Sequence, residues 1–310
     1  MKYPLDLTVM MYHYVRDPRD EAEQGSGIPG MPVRAFETQL DSLSRQYTFI
    51  RWPDLRMALQ GKKPLPDSAC LLTFDDGISD HYINVYKILQ SRNLSGLFFA
   101  LGRCKGDGFI LAHKIHFLLA KLGLADFREA VQVRLDPGLH ERFLRAEKRY
   151  RLKYPLTSTD NRINLLKAIL QRELSSEVDI LLSELFEMHV GSEQEIAGKY
   201  YLNPDQIREM RAGGMHFGGH SRHHPWFDWI DPRARAAEIR ASSDWLRRYE
   251  PEPWAFAYPY GGLTEDSPGL LKEHGFVAAF TTRAQVRHRD PYFIGRLDGE
   301  EQIQDGNLHA

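Results

Sequence analysis

Leu71-Leu72-Thr73-Phe74-Asp75-Asp76-Gly77 is the stretch that decides how this chain folds. Cys70–Phe74 is a continuous apolar run, as expected of a strand buried on both faces. It ends in two adjacent carboxylates and a glycine. In an extended chain, neighbouring side chains point to opposite faces. Gly77 permits a backbone turn that brings both carboxylates toward one cavity. An Asp-Asp-Gly is also ordinary turn chemistry. Its place after a buried strand favours a site.

Working outward, strands and helices alternate. Asp6–His13 reads as a buried strand with a polar exit, and Arg16–Met31 as a loop. Phe36–Gln46 carries a helical apolar face, Tyr47–Ile50 is a short strand, and Trp52–Leu59 is a second helix. His81–Arg92 is helical, and Gly96–Leu101 is another strand. This order predicts an α/β fold with a parallel sheet and helices outside. Such sheets bind ligands at the C-terminal ends of their strands. His13, Asp75 and Asp76 fall there.

From Arg103 to Lys199 the alternation stops. His113–Leu122, Leu139–Tyr150, Asn161–Arg172 and Ser176–His189 all read as helices with charged, solvated outer faces. We read 103–199 as a helical insertion, and 1–102 with 200–310 as one α/β unit. The pattern resumes at Asn203-Pro204, an N-cap followed by proline at the first helical position. That helix ends at Gly213-Gly214. Met215–Gly219 is a strand delivering His220, and Arg233–Tyr249 is a long helix. Pro253–Tyr258 is a strand, Leu270–His274 a helix, and Phe276–Thr281 and Tyr292–Leu297 two more strands.

His220-Ser221-Arg222-His223-His224 supplies the second constellation. Pro225 disfavours a helix at His224, so a loop or single turn is expected. Either geometry lets His220 and His224 reach one ion. Zinc accepts imidazole nitrogen and carboxylate oxygen, and a catalytic site keeps a position open for water. His216 and His223 are read as structural. Ser221 is read as orienting the loop, because no His–Asp relay stands beside it. Trp226, Phe227, Trp229, Tyr258 and Tyr260 crowd the same strand ends. Sugar rings stack on such faces; the alternative is a core wall, and that is the expectation for Trp229.

Thr73–Gly77 and His220–His224 resemble the first two signature motifs of the polysaccharide deacetylase family (carbohydrate esterase family 4, the NodB-homology domain). Phe256-Ala257-Tyr258-Pro259-Tyr260-Gly261 resembles the third. The resemblance spans roughly residues 5–102 and 200–298. It implies a distorted (β/α)7-type barrel, with Asp76, His220 and His224 on a divalent ion: Zn2+, or Co2+, Ni2+ or Mn2+. It implies Asp75 as general base, a backbone N–H near Tyr260 as oxyanion donor, and an N-acetylated sugar or oligosaccharide as substrate. His13 resembles the Tyr-His found in some relatives, and is carried as a site-lining residue. Many relatives have Arg where this chain has Ala257; Arg296, on the last expected strand, is the candidate replacement. The late Leu-x-His motif has no clear match. His288, in Arg287-His288-Arg289, reads as part of a basic loop.

Composition sets outer bounds. At 310 residues and a formal charge of −2, bulk electrostatics do not favour nucleic acid. No stretch approaches the ~20 apolar residues of a membrane span. Met1–Asp6 does not resemble a signal peptide, so the expected location is the cytoplasm. Cys70 and Cys104 fall at opposite ends of neighbouring strands, roughly 15 Å apart, too far for a disulfide. The expected activity is removal of an N-acetyl group from a saccharide precursor or a surface-polysaccharide intermediate. Two other readings use the same residues: a non-catalytic saccharide-binding member, and a hydrolase of a related C–N bond such as a deformylase. The helical insertion would cap the pocket or form a homo-oligomer contact.

Overall fold

The computed structural model describes residues 5–17, 27–103, 106–285 and 287–300. In chain order these residues form β1 (Leu5–Asp6), β2 (Thr8–Tyr12), α1 (Val33–Gln46), β3 (Thr48–Phe49), α2 (Trp52–Leu59) and β4 (Ala69–Asp76). A π-helical turn, His81–Tyr86, runs into α3 (Lys87–Ser91), and β5 (Leu97–Ala100) follows. Then come α4 (Leu111–Gln132), α5 (Pro137–Tyr150), α6 (Thr159–Ala168), α7 (Ser175–His189), α8 (Glu193–Tyr200) and α9 (Pro204–Ala212). The chain closes with β6 (His216–Gly219), α10 (Pro232–Leu246), β7 (Trp254–Ala257), α11 (Ser267–Glu273), β8 (Phe276–Phe280), β9 (Arg287–His288) and β10 (Leu297–Asp298).

The main sheet runs β10-β2-β4-β5-β6-β7-β8, with every pair parallel and β3 also on β4. It curls into a half-barrel with helices outside, as the distorted (β/α)7 expectation requires. Alternation along β4 explains the two cores. Leu72 and Phe74 face the helices, where Phe74 stacks between Tyr12 (centroids 5.3 Å apart) and Phe98 (4.7 Å). Leu71 faces the opposite side with Leu97, Phe99, Ala255, Ala257 and Phe280. Each such buried aromatic or aliphatic side chain contributes about 1.5–3 kcal/mol.

The expected strand at Tyr292–Leu297 is not formed. Ile294 makes a single bridge to Phe280, and only Leu297–Asp298 pair with β2. This short segment spans the gap between the two edges of the sheet, and carries Arg296 into the barrel. The helix expected at His81–Arg92 starts as a wider π-helical turn. The His113–Leu122 helix extends to Gln132, bent at Gly123, whose φ of 75° no helix adopts. Helix α8, not expected, follows it in the same stretch. Asn203 caps α9 through its side chain, as the sequence predicts.

The helices between β5 and β6 share their own hydrophobic cluster, including Ile115, Phe127, Phe143, Leu166, Val178 and Leu182. A second cluster joins them to the sheet side through Tyr14, Ile78, Phe109, Phe117, Phe186 and Tyr200. Backbone bonds reinforce that seam: Leu202 N–H donates to Gly77 O (2.9 Å) and Ser79 N–H to Tyr200 O (2.7 Å). No described helix is long and apolar enough to cross a membrane. Cys70 is a buried free thiol; Cys104 lies outside the described residues.

Candidate metal centre

Strand alternation alone would send Asp75 and Asp76 to opposite faces. The chain turns earlier than expected, at Asp76 itself, whose φ is 76°, and again at Gly77 (φ 63°). Aspartate is among the few non-glycine residues that tolerate this region, at some cost in strain. At Gly77 a Cβ would also meet Ala100 Cβ at 2.9 Å. The double turn leaves both carboxylates against the same imidazole: His220 Nε2 is 3.4 Å from Asp76 Oδ1 and 3.9 Å from Asp75 Oδ2.

The histidine loop is equally contorted. Ser221 (φ 62°) and His224 (φ 57°) both adopt left-handed backbone, forming a tight loop rather than a helix. Ser221 Oγ accepts from His224 N–H at 3.0 Å, which is the loop-orienting role expected of it. His220 Nε2 and His224 Nε2 lie 3.1 Å apart, and His224 Nε2 is 3.5 Å from Asp76 Oδ1. These three atoms form a near-equilateral triangle. Tetrahedral ligands at 2.0–2.1 Å from a zinc ion would be about 3.4 Å from one another.

The protonation pattern fits a cation. His220 Nδ1 sits 2.8 Å from Ala257 O. A carbonyl only accepts, so Nδ1 carries the proton and the Nε2 lone pair faces the triangle. Asp76 Oδ1 is buried without a hydrogen-bond partner among the described residues, and so is His224 Nδ1. Burial lowers the His224 pKa to about 3, so that imidazole is neutral. Burial alone would raise the Asp76 carboxyl, but the hydrogen bond from His113 and the adjacent His220 and His224 imidazoles bring it well below the usual range. Burial would likewise lower His220, yet the Asp75 and Asp76 carboxylates win and raise it. An ionised carboxylate and two imidazole edges thus converge on one buried point, a donor set that suits a divalent ion.

Asp75 is held differently. Arg296 Nη1 donates to Asp75 Oδ1 and Nη2 to Oδ2, both at 2.7 Å, with both residues almost fully buried. Arg296, the expected candidate beside Asp75, thus lies in direct contact with it. The guanidinium also donates to Thr281 O (3.1 Å) and lies over the Phe99 ring (5.5 Å). Burial would raise the Asp75 carboxyl; the Arg296 charge overcomes it and keeps it below its ordinary value. His13 Nε2 lies 3.9 Å from Asp75 Oδ2, with its side chain about one third exposed. His81 Nε2 donates to His13 O at 3.0 Å and fixes that backbone.

Tyr260, in left-handed backbone (φ 56°), sets its ring against His224 (4.4 Å) and flat on Trp226 (4.3 Å, 8° between planes). Arg172 covers the other face of Trp226 at 4.3 Å, lies 4.9 Å from the Trp229 ring, and binds Asp228. Trp229 is 49% exposed, so it is not the core wall expected of it. The 3-10 turn Phe227–Trp229 holds it at the surface instead. Tyr258 is fully buried against Phe227 and Phe256, which is the core reading. A cavity of ≈ 490 Å³ runs from His224 and Tyr260, past Trp226 and Trp229, to Ser175 and Asp179 of α7.

Three further histidines are engaged away from this point. His216 pairs with Glu250 (3.3 Å) and His223 with Glu238 (2.6 Å). His288 is not on a basic surface loop: it is fully buried, with Nε2 donating to Leu7 O at 2.9 Å, beside the β1–β9 pairing. Sequence reasoning missed His113, whose Nε2 lies 3.2 Å from Asp76 Oδ2. One of two histidines within the mainly apolar stretch Phe109–Leu118 was the only signal. It also missed Arg172, one charge among many on helical faces.

Residues 185–279 match the family described as polysaccharide deacetylase, in line with the resemblance carried by the motifs. No curated protein matches the chain. Three solved structures share its fold over nearly the full length. IcaB from Ammonifex degensii is 20% identical, covering 97% of this chain and 95% of its own, with a TM-score of 0.58. The Streptococcus pyogenes deacetylase PplD, in complex with acetate, is 15% identical, covering 98% of each chain, with a TM-score of 0.56. A de-N-acetylase from Aggregatibacter actinomycetemcomitans is 16% identical, covering 96% and 98%, with a TM-score of 0.56.

Proposed function

We propose that this chain is a metal-dependent hydrolase that removes the N-acetyl group from an acetamido sugar. The observation that carries the reading is the pairing of two adjacent carboxylates with unlike surroundings. Asp76 faces His220 and His224 with a bare oxygen, while Asp75 stands beside them, ionised and clamped by Arg296. Asp76, His220 and His224 would hold the ion, zinc or another divalent metal. When bound, that ion acidifies a coordinated water and polarises the amide carbonyl.

The protein groups do the rest. Asp75 accepts the proton of the attacking water at Oδ2, the oxygen on the His13 and His220 side. Arg296 fixes its carboxylate plane through two parallel hydrogen bonds, a geometry lysine cannot supply. The backbone N–H of Tyr260 is the donor assigned to the carbonyl oxygen as it gains charge. Asp75, protonated by the attack, returns the proton to the departing amine; His13 lines that flank. Acetate and the free amine leave.

The sugar binds in the ≈ 490 Å³ cavity. The half-exposed ring of Trp229 suits stacking on pyranose C–H groups, and Gln171, Ser175 and Asp179 offer hydrogen bonds to hydroxyls. Residues 103–199 act in this reading as an insertion that walls one side of the cleft. The similar structures, a de-N-acetylase and a deacetylase in complex with acetate among them, favour the same reaction.

The test is acetate release from nucleotide-linked, lipid-linked and free acetamido sugars, alongside zinc analysis of the purified chain. The reading expects about one zinc per chain and stoichiometric acetate. Saccharide binding without metal or acetate would identify a binding member of the fold. Formate in place of acetate would identify a deformylase.

A further inference from the structure

Asp76 has two carboxylate oxygens in unlike surroundings. Oδ1 is bare and faces the two imidazoles. Oδ2 is engaged from the other side, by His113 of α4, at 3.2 Å. His113 is fully buried, and its Nδ1 lies 2.6 Å from the hydroxyl of Tyr201. That hydroxyl in turn accepts the backbone N–H of Ile110 at 3.3 Å.

The direction of every bond in this chain follows from the inventory of donors and acceptors. Ile110 N–H can only donate, so the Tyr201 oxygen accepts from it, and the hydroxyl proton remains available for His113 Nδ1. Nδ1 then accepts, which places the ring proton on Nε2, and Nε2–H donates to Asp76 Oδ2. The ionised carboxylate can only accept. In the neutral ring every group of the wire, from the backbone amide to the carboxylate oxygen, is thus satisfied.

Resting on the metal reading above, we infer that His113 is a positioning residue of the metal centre, and that the helical stretch is part of that centre rather than an attachment to it. Asp76 sits in left-handed backbone (φ 76°), a conformation that needs external support. His113 occupies Oδ2 and sets the rotation of the carboxylate, so Oδ1 alone is presented to the ion. Partners of this kind orient a ligand and raise its affinity for metal. The support comes from both ends of the stretch. His113 lies in the first turn of α4, and Tyr201 directly follows α8. Tyr201 is also bridged antiparallel to Ile78, next to Gly77. Removing residues 103–199 would delete the donor.

The experiment is a competition titration of zinc against a chromophoric chelator, on full-length metal-stripped protein, for wild type, His113→Phe, His113→Gln and Tyr201→Phe. Glutamine can place an amide N–H near the position of Nε2; phenylalanine fills the space without a donor. The inference expects His113→Phe to weaken zinc binding about 10- to 100-fold. His113→Gln should recover most of that loss, and Tyr201→Phe should lose less than His113→Phe. A role in packing alone would not separate glutamine from phenylalanine in this order. Wild-type affinity in His113→Phe, or glutamine no better than phenylalanine, overturns the inference while leaving the metal centre standing. If His113→Phe does not fold, His113→Gln and Tyr201→Phe decide: zinc affinity at the wild-type level in Tyr201→Phe together with a loss of about 10-fold or more in His113→Gln overturns it. A wild-type chain that takes up no zinc fails the metal reading itself, and this inference with it.

Discussion

Asp75 and Asp76 are neighbours in sequence, yet they are held from opposite sides of the molecule by opposite means. Asp75 is gripped from the barrel by a charged group, Arg296, on the segment that spans the gap in the sheet. Asp76 is steadied from the helical stretch by a neutral donor, His113, and keeps one oxygen bare. The contrast teaches how one dipeptide yields two roles. In the proposed mechanism, a clamped ion pair preserves a carboxylate that must stay ionised and off the metal. A single hydrogen bond leaves its neighbour one oxygen free to ligate.

Exchange at Asp75 breaks the comparison most sharply. Asp75→Asn should lower acetate release about 10²- to 10⁴-fold, the usual weight of a general base, while zinc content stays at the wild-type level. Loss of zinc together with activity would mean that Asp75 is also a ligand. Arg296→Ala comes next. It strands a buried carboxylate, and should cost about 3–5 kcal/mol of stability in chemical denaturation. Stability within error of wild type would show the pair to be dispensable.

The Asp75 flank also carries an acid-sensitive support. Burial lowers His81 from 6.5 to about 4, so the folded protein resists its protonation while the unfolded chain does not. The sign follows: stability is full above about pH 6.5 and is lost as pH falls toward 4, by about 3 kcal/mol from this group. Denaturation midpoints measured from pH 7 to 4 should fall in wild type and fall less in His81→Gln. Parallel curves would remove His81 from the account. The smallest effect lies farthest out. Arg172→Ala removes the guanidinium between Trp226 and Trp229, and should raise KM for a saccharide about 2- to 20-fold with kcat unchanged. A fall in kcat alone would move Arg172 from the substrate wall to the chemistry.

The barrel was legible because its strands are apolar runs ending in unusual residues. Leu71–Gly77 announced both the sheet and the candidate site, and the family resemblance pointed to a guanidinium absent at Ala257. The supply of that guanidinium by Arg296 could be guessed from strand order, although the strand itself is only a bridge at Ile294 and a pair at Leu297–Asp298. The sharp turn at Asp76 was hidden, since a strand pattern records residue types and not φ. His113 was hidden for a different reason. A histidine on an apolar helical face reads as core until a distant carboxylate is found beside it, and that contact spans 37 residues of sequence. Trp229 erred in the opposite direction: a large aromatic near a motif reads as core, while the tight turn it occupies keeps it in solvent.

The central claim is that Asp76, His220 and His224 share one ion. Anomalous diffraction at the zinc edge, on crystals grown from protein loaded with zinc, tests it most directly. The account predicts a single strong peak within about 2.0–2.2 Å of Asp76 Oδ1, His220 Nε2 and His224 Nε2. A peak elsewhere, or none at those three atoms, would contradict it.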